Sequence, residues 1–152
     1  MLKLRLFLIY WLPALMWMTL VFSASSDSHS NAHSSRIIEP LLRWLFPRLS
    51  EAHVQDLHEL LRKCAHLTEY AVLALLLRRA VGSAAKSGAP AWNWPVARLT
   101  LLLVMLYAAS DEWHQRFVPT RTSLVSDVFI DTAGGAAGLL ALWRFGRWRK
   151  RW

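Results

Sequence analysis

Residues 107–131 read YAASDEWHQRFVPTRTSLVSDVFID, and the reading of this stretch decides the fold. It joins the end of one apolar run to the start of the next. Packed into it are Asp111, Glu112, His114, Gln115, Arg121, Asp127 and Asp131. Ionisable groups beside or inside apolar segments are expensive in a bilayer and mark functional positions by default. The runs on either side are therefore expected to be membrane spans, and the charged junction to be what they position.

Working outward, the composition agrees. The chain has 152 residues, enough for one domain, and 55% are apolar and fall in blocks. The single cysteine, Cys64, excludes an intramolecular disulfide framework, and no Cys/His zinc spacing occurs. A net charge of +8 raises nucleic acid as a partner, but no nucleic-acid motif accompanies it.

Four spans are expected, at about residues 6–23, 60–78, 96–115 and 123–145. The first follows Lys3 and Arg5 and carries Pro13, a candidate kink. Its length favours a retained helix over a cleaved signal peptide, although Ser23, Ala24 and Ser25 offer small residues for cleavage. Residues 23–35 are Ser-rich and read as a polar loop. Residues 37–49 place apolar side chains at helical spacing opposite Arg43 and Arg48, as a short helix in the interface plane would, with Pro40 and Pro47 limiting its length. Ser50 is a candidate N-cap for the helical start that leads into the second span. Residues 82–95 read as a loop. Trp92, Trp94, Trp143, Trp148 and Trp152 stand where aromatic belts would.

The basic charge is one-sided. With the N-terminus in the cytoplasm, Lys3, Arg5, Arg78, Arg79, Lys86, Arg98, Arg144 and the basic tail at 147–151 all fall inside, with no acid among them. This positive-inside pattern predicts a multi-pass protein of the plasma (inner) membrane with both termini cytoplasmic. The tail then reads as a topology signal and an anchor for anionic lipid, not a nucleic-acid patch.

In that topology three separate spans bring their ionisable residues to the outer leaflet. Lys63, His66 and Glu69 lie in the second span, Asp111 to Gln115 in the third, Asp127 and Asp131 in the fourth. Lys63, His66, Glu69 and Tyr70 fall within an arc of about 120°. On antiparallel helices, His66-x-x-Glu69 descends while Asp111-x-x-His114 climbs, so carboxylate is matched to carboxylate and His to His in depth. Asp131, Gly134 and Gly138 share a stripe whose small residues permit close helix approach.

These same residues carry a resemblance. Lys63-Cys-Ala-His66-x-x-Glu69-Tyr70, Asp111-Glu112-x-His114-Gln115, Pro119-x-Arg121 and Asp127-x-x-x-Asp131-x-x-Gly134 resemble the VanZ-like family, as does Phe22-Ser23 with the Ser-rich segment after it. Thr120 stands where a small residue such as Gly is expected. The resemblance implies a small polytopic bacterial membrane protein of the cell envelope, related to proteins associated with resistance to the glycopeptide teicoplanin. Some relatives carry a phosphotransbutyrylase label, and nothing in this chain points to a coenzyme A site.

The expectation is an all-α, four-transmembrane-helix bundle with a short interfacial helix in the first outer loop, forming one domain over residues 1–152. Its polar pocket would act on or bind an envelope lipid or a lipid-linked cell-wall precursor. His66, Glu69, Asp111, Glu112, His114 and Asp127 are the candidate catalytic residues, for acid–base work. Lys63, Gln115, Arg121 and Asp131 are candidates for holding substrate, the cations pairing with a phosphate or carboxylate. A divalent metal is an open cofactor, since His and carboxylate suit several metals. Two other classes stand beside this reading: a binding or structural membrane protein without catalysis, and a proton-coupled transporter. Cys64 reads as a packing residue, and His29, His33, His53 and His58 as solvated positions.

Overall fold

The protein is described here from a computed structural model, which describes the backbone of residues 2–26, 30–84, 92–118 and 124–150, with side chains for 4–25, 35–83, 92–118 and 124–150. Arg121 and Pro119 lie outside the described residues. The described elements are all helical: α1 (Leu2–Tyr10), α2 (Leu12–Ser26), α3 (Ser30–Leu45), α4 (Glu51–Ala84), α5 (Trp94–Gln115) and α6 (Val125–Trp148).

The N-terminal apolar run is two helices bent by 43° at Trp11. Pro13 accounts for the break. It has no N–H to give the carbonyl of Ile9, and its ring crowds that carbonyl. The chain stays connected through Trp11 N–H to Phe7 O at 2.8 Å and Leu15 N–H to Trp11 O at 3.0 Å. The expected loop at 23–35 is largely absent, because α2 runs on to Ser26 and α3 starts at Ser30. Serine is neutral enough in a helix to be carried when neighbouring turns hold it. Ser23 does this by donating to Thr19 O at 2.8 Å. Pro40 does not limit α3, which passes through it and stops before Pro47.

α4 is one helix of 34 residues, longer at both ends than the span expected at 60–78. At 1.5 Å per residue it measures about 51 Å, well beyond a hydrocarbon core of about 30 Å. Ser50 serves as its N-cap, accepting from His53 N–H at 3.4 Å. Asn93 caps α5 through its side chain to Val96 N–H at 3.1 Å, with Pro95 in the first turn, where a missing donor costs nothing.

α4, α5 and α6 form the body, with the most extensive contact between α4 and α6. Glycine makes that contact possible. A Cβ on Gly134 would stand 2.5 Å from Leu67 O, and one on Gly138 would stand 2.8 Å from Ala71 O. The two helices therefore meet backbone to backbone along the stripe expected from the sequence. Val104 and Ala74 fill the space beside Gly135. α2 closes the bundle across α4 and α5. It is fastened by Trp17 Nε1 donating to Glu69 O at 2.9 Å and by the Tyr107 hydroxyl donating to Met18 O at 2.6 Å. The core is Ala14, Val21, Tyr70, Leu73, Ala74, Leu77, Val104, Ala108 and Leu139.

Among the described residues α6 alone is, as a single helix, long and apolar enough to cross a membrane, and α1 with α2 pass the same test as one bent pair. α4 and α5 carry ionisable residues within their apolar stretches. Two smaller expectations are corrected. Cys64 is exposed rather than packed, although it shares the helical phase of Ala71, which meets α6 two turns further along α4. His58 is buried rather than solvated.

Candidate functional site

The site is organised on Asp111, near the end of α5. Its side chain is 2% exposed. Oδ2 accepts three hydrogen bonds, one from each helix around it. Ser25 Oγ of α2 donates at 2.7 Å, the Tyr70 hydroxyl of α4 at 3.4 Å, and Gln115 Nε2 of α5 itself at 3.1 Å. Ser25, Tyr70 and Gln115 are buried too. The other oxygen, Oδ1, is buried and has no hydrogen-bond partner.

α6 supplies a second buried carboxylate, Asp131, at the head of the glycine stripe. Tyr70 also lies within electrostatic reach of Asp131, so this one phenol stands near two carboxylates. A phenol has a single proton to donate, and it can fully satisfy only one of them at a time. Asp131 also lies within electrostatic reach of Asp111, of Glu112 and of Asp127. The arrangement follows from the helix contacts. Gly134 and Gly138 draw α6 onto α4, and this carries Asp131, one turn earlier, to Tyr70.

His66 and Glu69 form a pair on α4, with Nδ1 3.6 Å from Oε2 and both side chains partly exposed. His66 is close enough to Asp111 to act on it electrostatically. His114, half-buried, lays its ring on Phe22 of α2 with centroids 4.3 Å apart, and its Nδ1 is buried without a hydrogen-bond partner. Glu112 is buried, and Asp127, half-buried in the first turn of α6, sits where the helix dipole favours an anion. Lys63 is exposed on α4, away from the buried cluster.

Asp111, Gln115 and Asp131 thus share one buried network, with Glu112 beside it and the His66–Glu69 pair at its edge. Ser25 and Tyr70 belong to the network and were not singled out as site residues from sequence. Tyr70 could have been found, since it shares the arc of His66 and Glu69. Ser25 had no local signal beyond its place in a Ser-rich run. No group of three or more His, Cys, Asp or Glu side chains among the described residues is placed to hold a metal ion.

Away from the site, Arg43 of α3 pairs with Glu51 at the start of α4. The hydrogen bond between them holds the Glu51 carboxyl below, and the Arg43 guanidinium above, its ordinary value. Leu42 is buried beside this tie, and Ile37, Leu41 and Trp44 face outward.

No curated protein matches the chain, and no solved structure does. The model of the VanZ/LLP1 family matches residues 7–146, which runs from within α1 to within α6 and takes in every residue of the Asp111 network. With nearly its whole length matched, the chain belongs to the VanZ/LLP1 family.

Proposed function

We propose that this is a multi-pass envelope membrane protein whose buried Asp111 network is a site for an envelope lipid or a lipid-linked cell-wall precursor. The observation that carries the reading is Asp111 itself. Three donors from three helices converge on Oδ2 while Oδ1 is left buried and unpartnered. A purely structural carboxylate would be expected to have both oxygens satisfied, because an unmet buried acceptor costs about 1–3 kcal/mol. Such groups concentrate where a ligand completes the set.

The distribution of side chains supports the membrane setting. Polar groups lie inside the bundle, and large apolar residues such as Leu99, Leu102, Met105, Leu106 and Leu140 lie on its outside. Contiguous apolar surface of this kind suits lipid. In the proposed arrangement four spans cross, the bent α1–α2 pair counting as one, with α4, α5 and α6. Both termini lie in the cytoplasm, α3 rests in the outer interface plane, and the network opens to the outer leaflet. The apolar outward face of α3 fits that placement.

In the catalytic form of the reading, the His66–Glu69 pair moves a proton at the edge of the network, with Asp111 as its buried counterpart. His114 and Asp127 flank the site, and Arg121, by its place in the sequence, contributes charge for a phosphate or carboxylate. Glycopeptide susceptibility would change through the altered envelope lipid or precursor. A binding role without catalysis is the second reading. It is favoured by the separation of His66 from Glu69, which at 3.6 Å is longer than a hydrogen bond.

The test is a set of substitutions in the full-length protein, assayed for glycopeptide susceptibility and envelope lipid composition. Glu69→Gln and His114→Ala should abolish the protein's effect at unchanged expression, and His53→Ala should preserve it. If Glu69→Gln and His114→Ala both act as the parent does, the acid–base reading is lost.

A further inference from the structure

The end of the bundle away from Asp111 carries a second feature. All ten acids of the chain lie within residues 27–69 and 111–131. The end formed by the last turns of α4, the start of α5 and the last turns of α6 therefore holds cations and no carboxylate. Two arginines and three indoles meet there in a row. The Arg78 guanidinium of α4 lies over the Trp92 ring, 4.8 Å from its centroid. Trp92 meets Trp94 edge-on at 5.4 Å, and Trp94 meets Trp143 of α6 at 6.0 Å. Arg147 lies over Trp143 at 5.3 Å. Trp92 is half-buried and packs against the hydrophobic core, which fixes the ring under Arg78. Arg78 is half-buried too, and its Nε is buried with no hydrogen-bond partner.

We propose that Arg78 holds the phosphodiester of one anionic phospholipid, a lipid whose headgroup carries no ammonium. The assignment rests on the proposed membrane setting, in which this end lies in the cytoplasmic leaflet. It goes beyond the anchoring expected of the basic tail, since it names a single site. Three features carry it. A buried guanidinium N–H without an acceptor is costly, and no carboxylate at this end can supply one. The Trp92 contact takes up the flat face of the guanidinium and leaves its in-plane donors open to a bidentate oxyanion. Indoles gather at the membrane interface, so Trp92, Trp94 and Trp143 set Arg78 at the depth of lipid phosphates.

The charge of the headgroup follows from what surrounds Arg78. An ethanolamine lipid brings the same phosphodiester and an ammonium besides. At this end the ammonium would find further cations, Arg79 and Arg147 among them, and no acid to receive it. Trp92 and Trp143 already carry Arg78 and Arg147 on their faces. A glycerol headgroup brings no such charge. Free phosphate offers the same oxyanion without an acyl chain. Leu75, one turn before Arg78 on α4, is exposed and gives such a chain an apolar surface to lie on.

Native mass spectrometry of the full-length protein in detergent tests this. The probes are palmitoyl-oleoyl phosphatidylglycerol, palmitoyl-oleoyl phosphatidylethanolamine and inorganic phosphate. Phosphatidylglycerol should bind as a single adduct and phosphatidylethanolamine about tenfold more weakly, and phosphate at the lipid's concentration should not displace it. Arg78→Gln should weaken phosphatidylglycerol about tenfold, the worth of one charge-assisted hydrogen bond. Arg78→Lys keeps the charge without the planar fork and should fall between Arg78→Gln and the parent. Lys150→Gln, which removes the same charge from the tail, should bind as the parent does. Equal binding of the two lipids, displacement by phosphate, parental binding by Arg78→Gln, or an equal loss in Lys150→Gln overturns the assignment. The proposed function is tested separately, by reporter fusions for the membrane setting and by phenotype for the Asp111 network, in variants that leave Arg78 in place.

Discussion

Ser25 and Asp111 stand 86 positions apart in the chain, yet the hydroxyl of one donates to the carboxylate of the other at 2.7 Å in a buried site. The contact couples α2 to α5 beside the phenol that couples α4 to α5. Ser25→Ala removes this donor and leaves the carboxylate with two. The variant should lose about 1–2 kcal/mol of stability, and a thermal melt in detergent should read it as a lower midpoint. An unchanged midpoint would mean that α2 is held by Trp17 and Tyr107 alone.

The α4–α6 contact admits no side chain at its closest points. Gly138→Leu should cost at least about 1–3 kcal/mol and lower the yield of folded protein, because the new Cβ alone would meet Ala71 O at 2.8 Å. Gly82→Ala is the matched comparison. Its Cβ would meet only Val96 at 3.9 Å, and Ala is the better helix former. Gly82→Ala should melt at or above the parent. Equal melting of Gly138→Leu and the parent would place the stripe outside the packed contact.

Charge asymmetry along the chain fixes an expected topology. Reporter fusions after Ala85 and after Trp152 should read cytoplasmic, and one at Pro119 should read extracytoplasmic. A fusion after Trp152 that reads extracytoplasmic contradicts the four-span arrangement.

The tie between α3 and α4 depends on pH. Glu51 has its carboxyl lowered by its hydrogen bond to Arg43. A depressed folded value means that the pairing stabilises above the ordinary value of about 4.5 and is lost as pH falls through the folded value. A distance label pair on Trp44 and His58 should therefore report a fixed α3 at neutral pH and a looser one well below 4.5. Both residues of the tie lie at the surface, so the energy involved is small and salt-sensitive. A label distance that does not move with pH would show that Leu42 packing alone sets the position of α3.

Much of this was legible from residues alone. Apolar run length and the flanking charges placed all four apolar runs, and the Asp131, Gly134 and Gly138 stripe was readable from its spacing. Asp111, Gln115 and Asp131 stood out because buried charge in an apolar segment is costly. Boundaries were less legible. The polar 23–35 segment reads as loop by composition, and tertiary packing lets much of it continue as helix. Lys63 shares a helical face with Tyr70 but lies two turns nearer the polar end of α4, where the bundle no longer covers it. Angular phase does not fix depth, so the arc that held both residues overstated their proximity. Ser25 was the least legible. A serine among serines becomes a ligand of Asp111 only through the packing of α2 across α5, a contact that no local pattern encodes.

In the proposed function, the Asp111 network is where this protein does its work. Asp111→Asn is the most direct test. It keeps the size of the side chain and much of its hydrogen-bonding capacity, so the bundle can still assemble. The measurement is glycopeptide susceptibility of cells expressing the variant at parental level, with Cys64→Ala, a change at an exposed position, alongside. Asp111→Asn should lose the effect of the protein while Cys64→Ala keeps it. Full activity in Asp111→Asn, at equal expression and equal melting temperature, would contradict it.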